Sequence, residues 1–122
     1  MRILLIDDNE EIAEVISFYC EATKDIDCRV VNNAQEALDS IRNEKFDLIL
    51  LDLEMLGFGG RDVIKKVNED GLIESKNIVI FTSSLDRSLV DEMKNVGIKE
   101  VFKKSSSLDD LAQFIEKYRP RT

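Results

Sequence analysis

The segment Asp47-Leu48-Ile49-Leu50-Leu51-Asp52-Leu53-Glu54-Met55 carries four aliphatic residues without a break between two aspartates. A strand with one wet face alternates apolar and polar side chains, whereas a strand covered on both faces reads as a continuous apolar run. Residues 48–51 therefore predict a central strand of a parallel sheet. Outward from it, Ile3-Leu4-Leu5-Ile6 and Ile78-Val79-Ile80-Phe81 have the same character, and Cys28-Arg29-Val30-Val31 and Val101-Phe102 complete a set of five. Helical stripes lie between and after them. The first holds Ile12, Val15, Ile16 and Tyr19, and the second Ala34, Ala37, Leu38 and Ile41. Val63, Ile64 and Val67 follow the glycines at 57, 59 and 60, and Leu89, Val90, Met93 and Val96 end at Gly97 as a C-cap. Leu108, Leu111, Ala112 and Ile115 mark the last helix. Five strands alternating with five helices predict an α/β fold: a doubly wound five-stranded parallel sheet with right-handed crossovers, in the order 2-1-3-4-5.

The 122 residues fit one domain, 1–122, with residues 119–122 as a loose tail and no attached output domain. A net charge of −8 argues against direct binding to nucleic acid or an anionic membrane, because both would repel the chain. The apolar run 3–6 is too short for a signal peptide or a membrane span, so the expected location is the reducing cytoplasm. Cys20 and Cys28 sit in apolar patterns and read as small buried side chains rather than a disulfide framework. There is no histidine, which removes the usual general base and the commonest metal ligand.

Four of the strands run into chemically useful residues: the first into Asp7-Asp8, the third into Asp52, the fourth into Thr82, the fifth, one lysine on, into Lys104. Open α/β sheets bind ligands outside the carboxyl ends of their strands, where strand order reverses. The order 2-1-3-4-5 places the first and third strands side by side at that reversal. Asp7, Asp8 and Asp52 then converge in one cleft, with Thr82 and Lys104 on its rim. Three carboxylates so close repel one another, and a hard divalent cation such as magnesium relieves the repulsion. Lys104 adds an ammonium and Thr82 a hydroxyl donor. Phosphoryl transfer needs that set: an in-line nucleophile, cations on the phosphoryl oxygens and little acid–base chemistry. Asp52, alone at the end of the central strand, is the best nucleophile. Against this stands plain helix capping, which Asp8 or Asn9 could perform alone.

These residues closely resemble the receiver domain of two-component response regulators, a flavodoxin-like fold, over essentially the whole chain. The resemblance rests on Ile3-Leu4-Leu5-Ile6-Asp7-Asp8-Asn9, on Asp47 to Met55, on Gly60, on Thr82-Ser83-Ser84, and on Gly97 seven residues before Lys104. It implies a stand-alone, chemotaxis-regulator-like switch in which Asp52 takes a phosphoryl group from a histidine kinase, a phosphotransfer protein or acetyl phosphate. It implies direct magnesium binding by Asp8 and Asp52, with Asp7 acting through water and the main-chain carbonyl of Glu54 completing the protein ligands. Thr82 and Lys104 would contact the phosphoryl oxygens, and an unnamed protein would read the modified state. Such a protein is not an enzyme beyond its own phosphorylation and dephosphorylation.

The chain departs from that family in three places. The usual proline four residues after the acceptor is Leu56. The proline usually following the lysine is Ser105, so a cis Lys104–Ser105 bond would cost about 2.5–4 kcal/mol, leaving a strained cis bond or a rearranged trans loop. The position of the mobile aromatic is Val101, and Phe102 next to it points to the other face. Any readout would then run through the loop from Thr82 to Asp86 and the helix after it.

A receiver-like interaction module that is never phosphorylated is the alternative of a different class. A flavin carrier is disfavoured because Asp7-Asp8-Asn9-Glu10 would repel a flavin phosphate. Aspartyl-phosphate phosphohydrolases place two aspartates two residues apart, where this chain has Asp52 and Glu54. No P-loop glycine–lysine pattern occurs. A mixed surface patch is also predicted, with Phe114 and Tyr118 partly exposed beside Lys94, Lys99 and Lys103.

Overall fold

The computed structural model describes residues 1–54, 59–83, 85–104 and 107–120. The run that decided the sequence reading is a strand from Leu48 to Asp52 with every residue buried. In chain order the elements are β1 (Arg2–Ile6), α1 (Glu10–Thr23), β2 (Asp27–Val31), α2 (Ala34–Asn43), β3 (Leu48–Asp52), α3 (Gly60–Glu69), β4 (Ile78–Thr82), α4 (Arg87–Val96), β5 (Glu100–Lys103) and α5 (Leu108–Glu116). The strands form one parallel sheet in the order β2-β1-β3-β4-β5, as the alternation predicts.

Because side chains alternate along a strand, the sheet divides the core in two. Leu4, Ile6, Ile49, Leu51, Ile78 and Ile80 face the buried residues of α2, α3 and α4. Ile3, Leu5, Leu48, Leu50, Val79 and Phe81 face α1 and α5. Each such side chain, fully withdrawn from water, contributes about 1.5–3 kcal/mol, which is why the central strands are aliphatic throughout. Helix ends follow local chemistry. The Asn9 side chain caps α1 by accepting from the N–H groups of Glu11 and Ile12. Gly97 closes α4 at φ 104°, a left-handed conformation that a side chain would strain, so the C-cap reading holds.

Two stripes turn out differently from the sequence reading. On α1 the fully buried residues are Ile16 and Cys20, with Ile12 and Tyr19 half-buried against the same core as expected, while Val15 is exposed and Phe18 is 68% exposed. On α5 the inward stripe is Leu111, Phe114, Ile115 and, half-buried, Tyr118, the i, i+3, i+4, i+7 pattern that starts one turn later than expected. Leu108 is consequently 46% exposed and Phe114 is buried, which takes Phe114 out of the predicted surface patch, while Tyr118 is partly exposed as expected. Lys94, Lys99 and Lys103 are exposed, and Lys99 donates to the Glu74 carbonyl. Arg119, expected to begin a loose tail, is fixed by ion pairs to Asp25 and Glu116, with Glu116 also accepting from the Tyr19 hydroxyl. Residues 121 and 122 lie outside the described residues.

Candidate functional site

Strand register builds the site. Ile6 pairs with Leu51, so one further step sets Asp7 beside Asp52. Asp52 in turn pairs with Phe81, which brings Thr82 to the next level of β4. Asp7, Asp52 and Thr82 are all buried, whereas Asp8 is exposed. Carboxylate oxygens of Asp7, Asp8 and Asp52 all lie within 4.8 Å of one another. Capping of α1 falls to Asn9, so the acidic pair is not explained by it.

Lys104 reaches in from the end of β5. Its backbone N–H donates to the Thr82 carbonyl at 2.7 Å, which anchors the residue beside β4. Its ammonium then pairs with Asp7 Oδ2 at 2.8 Å and with Asp52 Oδ1 at 3.3 Å, 5.8 Å from the centre of the Phe81 ring. Burial alone would lower the Lys104 pKa, but its hydrogen bonds and charge pairing with Asp7 and Asp52 outweigh that and raise it. Burial pushes the Asp52 carboxyl up from its ordinary value, and the Asp7 charge adds to the rise. The Glu54 N–H and the Lys104 ammonium oppose both. That N–H donates to Asp52 Oδ1 at 3.0 Å, and the Asn9 N–H donates to Asp7 Oδ1 at 2.9 Å, so both carboxylates are oriented by backbone two residues on.

Among the described residues, the buried Asp7 and Asp52 share the single Lys104 ammonium and Asp8 adds a third carboxylate beside them. Asp7 Oδ2 is buried and meets the Lys104 ammonium at 2.8 Å, a contact that uses only part of a carboxylate oxygen's acceptor capacity. A cluster of hard oxygen donors with unspent acceptor capacity fits a hard divalent cation such as magnesium.

Other predicted residues hold the rim. Glu54 lies at the mouth, exposed, and its side chain accepts from the Ser83 hydroxyl at 3.1 Å, joining the β3–α3 and β4–α4 connections. Sequence reasoning assigned Ser83 no role, and nothing in its type or position singles out that bond. Leu53, Glu54, Arg61, Thr82, Asp86 and Leu89 line an adjoining cavity of about 250 Å³. A Cβ on Gly60 would come within 2.3 Å of the Asp52 carbonyl oxygen, so the start of α3 is seated directly against the backbone of Asp52. Leu56, Ser84 and Ser105 lie outside the described residues, and with them the Lys104–Ser105 bond. Val101 packs towards the α2–α3–α4 side and Phe102 towards α1 and α5, as strand alternation predicts.

Comparison with known proteins shows the family and the fold. The response regulator receiver domain family matches residues 3–116, and the chain belongs to that family. Members are signalling domains of two-component systems; they accept a phosphoryl group on an aspartate from histidine kinases or phosphotransfer proteins, and bind magnesium in an acidic pocket.

The response regulator protein VraR of Staphylococcus saprophyticus is 30% identical over 120 residues, which cover 96% of this chain and 56% of that protein. Sporulation initiation phosphotransferase F of Bacillus subtilis is 28% identical over 88 residues, 72% of this chain and 69% of that protein. The chain spans about half the length of several other curated relatives it matches. Among solved structures, chemotaxis protein CheY4 of Vibrio cholerae superposes with a TM-score of 0.84 at 20% identity, covering 97% of this chain and 98% of that one. Response regulator TrrA of Thermotoga maritima, in complex with Mg2+-BeF, superposes at 0.78 with 24% identity and the same coverage. No described helix is long and apolar enough to cross a membrane.

Proposed function

We propose that Asp52 is the phospho-acceptor of a single-domain response regulator, and that its magnesium-dependent phosphorylation switches the binding of a partner protein. The observation that carries this is the gathering of Asp7, Asp8 and Asp52 within 4.8 Å with the Lys104 ammonium against two of them. An Asp52 carboxylate oxygen attacks the phosphorus of a phosphohistidine or of acetyl phosphate. The bond to the leaving imidazole or acetate breaks as the acyl phosphate forms. Lys104, now against Asp52 Oδ1, transfers its ion pair to a phosphoryl oxygen, and the Thr82 hydroxyl donates to another. Asp8, Asp52 and the Glu54 main-chain carbonyl would hold magnesium, with Asp7 acting through water; the ion would neutralise charge on the phosphoryl oxygens.

The donor is a histidine kinase or a phosphotransfer protein, and the chain turns over nothing but its own aspartyl phosphate in the cytoplasm. Its output is a protein partner rather than nucleic acid, in keeping with a net charge of −8. With valine at position 101, the readout runs through the Thr82–Asp86 loop and α4 as Thr82 gains a new acceptor.

Incubation with acetyl phosphate and magnesium should add the mass of one phosphoryl group to the wild type and none to Asp52→Asn. A wild type that stays unmodified would leave the interaction-module reading in place. Addition that persists in Asp52→Asn would move the acceptor elsewhere.

A further inference from the structure

A cavity of about 500 Å³ lies at the end of the sheet away from the acidic cleft, lined by Arg2, Lys45, Phe46, Asp47, Ser75 and Lys76. Arg2 opens β1, Asp47 directly precedes β3, and Ser75 and Lys76 lie just before β4. Five strand steps separate Asp47 from Asp52, roughly 16 Å of extended chain. The two sites share no side chain. One wall of the cavity is fixed by hydrogen bonds. The Arg2 N–H donates to Asp47 Oδ2 at 2.7 Å, the Asp47 N–H donates to the Arg2 carbonyl at 2.8 Å, and the Asn77 side-chain amide donates to the Asp47 carbonyl at 3.0 Å. The Arg2 guanidinium lies 4.7 Å from the centre of the half-buried Phe46 ring, held there by Asp27, Glu44 and the Lys45 carbonyl. Guanidinium and ring together form a flat, anchored surface. The rest of the lining is cationic. Lys45 is exposed and Lys76 half-buried, and neither ammonium has an ion-pair or hydrogen-bond partner among the described residues. Asp47 is the opposing carboxylate, and it already accepts from the Arg2 backbone.

We propose that this cavity binds a nucleoside diphosphate, its base against the Arg2–Phe46 surface and its phosphates on the Lys45 and Lys76 ammonium groups. Three observations select that class. The volume falls within the range of about 300–1,000 Å³ usual for small-molecule sites and exceeds what a single phosphate ion fills. A planar ring backed by a guanidinium takes the π-face of a base, whichever base it is. Two unmatched ammonium groups are point charges suited to phosphate oxygens, and a pair of them matches a diphosphate. Because Lys45 is exposed, its contribution is screened by salt, so affinity should fall as ionic strength rises. Binding here uses neither Asp52 nor magnesium and stands apart from the phosphoryl reading.

The test is calorimetric titration of the full chain with ADP, adenosine and pyrophosphate, in chelator and at low salt. ADP should bind the wild type one to one, and adenosine and pyrophosphate should each bind at least about tenfold more weakly, because each engages only part of the site. Lys45→Gln combined with Lys76→Gln should weaken ADP by about tenfold or more, the change being confined to side chains that support no other contact. Phe46→Leu should weaken ADP severalfold and leave pyrophosphate unchanged. Asp52→Asn should bind ADP as the wild type does, so a failed acceptor assignment would not disturb this result. Wild type that takes up no ADP at millimolar concentration would overturn the proposal. So would ADP binding that survives the paired lysine substitutions or is indifferent to Phe46→Leu. Pyrophosphate or adenosine binding as tightly as ADP would reduce the cavity to a general anion or apolar patch, and loss of ADP binding in Asp52→Asn would place the ligand in the acidic cleft instead.

Discussion

The acidic cleft and the β5–α5 flank share one strand end but are held together by different physics. The cleft is assembled by backbone register: the β1–β3 and β3–β4 ladders set Asp7, Asp52 and Thr82 at neighbouring levels, and the Thr82 carbonyl fixes Lys104. The flank is assembled by rings. Phe81, Phe102, Phe114 and Tyr118 follow one another with centroid separations of 6.0, 4.4 and 5.6 Å. The aromatic ring at 102, and not at 101, faces α1 and α5, and among the described residues it touches the cleft only through Phe81, whose ring centre lies 5.8 Å from the Lys104 ammonium.

The largest effect that would separate the two regions is expected from Lys104→Ala. It leaves Asp7 and Asp52 buried without their ammonium, and removing one partner of a buried pair costs about 3–5 kcal/mol. Urea unfolding in chelator should show that loss, magnesium should recover part of it, and phosphoryl uptake should fall steeply. Gly60→Ala comes next. The new Cβ must displace the Asp52 carbonyl or the start of α3, at about 1–3 kcal/mol, and uptake should slow because the acceptor shifts.

On the flank, Phe102→Ala should cost about 2 kcal/mol, less than a fully buried phenylalanine because the ring is half-buried, with the uptake rate unchanged. An uptake loss equal to that of Lys104→Ala would show that ring packing and cleft act as one unit.

The smallest effect concerns pH. Burial first, then the Asp7 charge, raise the Asp52 carboxyl above its unfolded value, so the folded chain holds that proton more tightly than the unfolded chain. The stability this group contributes is greatest in acid and is lost as pH rises from the unfolded value of about 3.9 through the raised folded one. Asp52→Asn should accordingly melt slightly above wild type at neutral pH in chelator, with the difference shrinking as the pH is lowered. An advantage that grows in acid would reverse the sign of the shift.

Much of this was legible without coordinates because it depends on local order. Continuous aliphatic runs marked β1, β3 and β4, and the residues that end them marked the cleft. The α5 stripe was misread by one turn because Leu108, Leu111, Ala112 and Ile115 satisfy a helical period about as well as Leu111, Phe114, Ile115 and Tyr118. Periodicity alone does not say which stripe has Phe102 beneath it. The α1 reading failed on Val15 for the same reason, since adjacent apolar residues leave the facing side open.

The amino-acid sequence by itself determined the five-fold β/α alternation, the doubly wound order, and the placing of Asp7, Asp8, Asp52, Thr82 and Lys104 at one end of the sheet. These follow from side-chain period and from the strand ends, which are properties of neighbouring residues. Tertiary structure alone decided that Lys104 lies closer to Asp7 than to Asp52, that Glu54 meets Ser83, and that Phe114 is buried under a row of rings. Each of those depends on the distance between side chains on separate elements, which packing sets and local pattern does not.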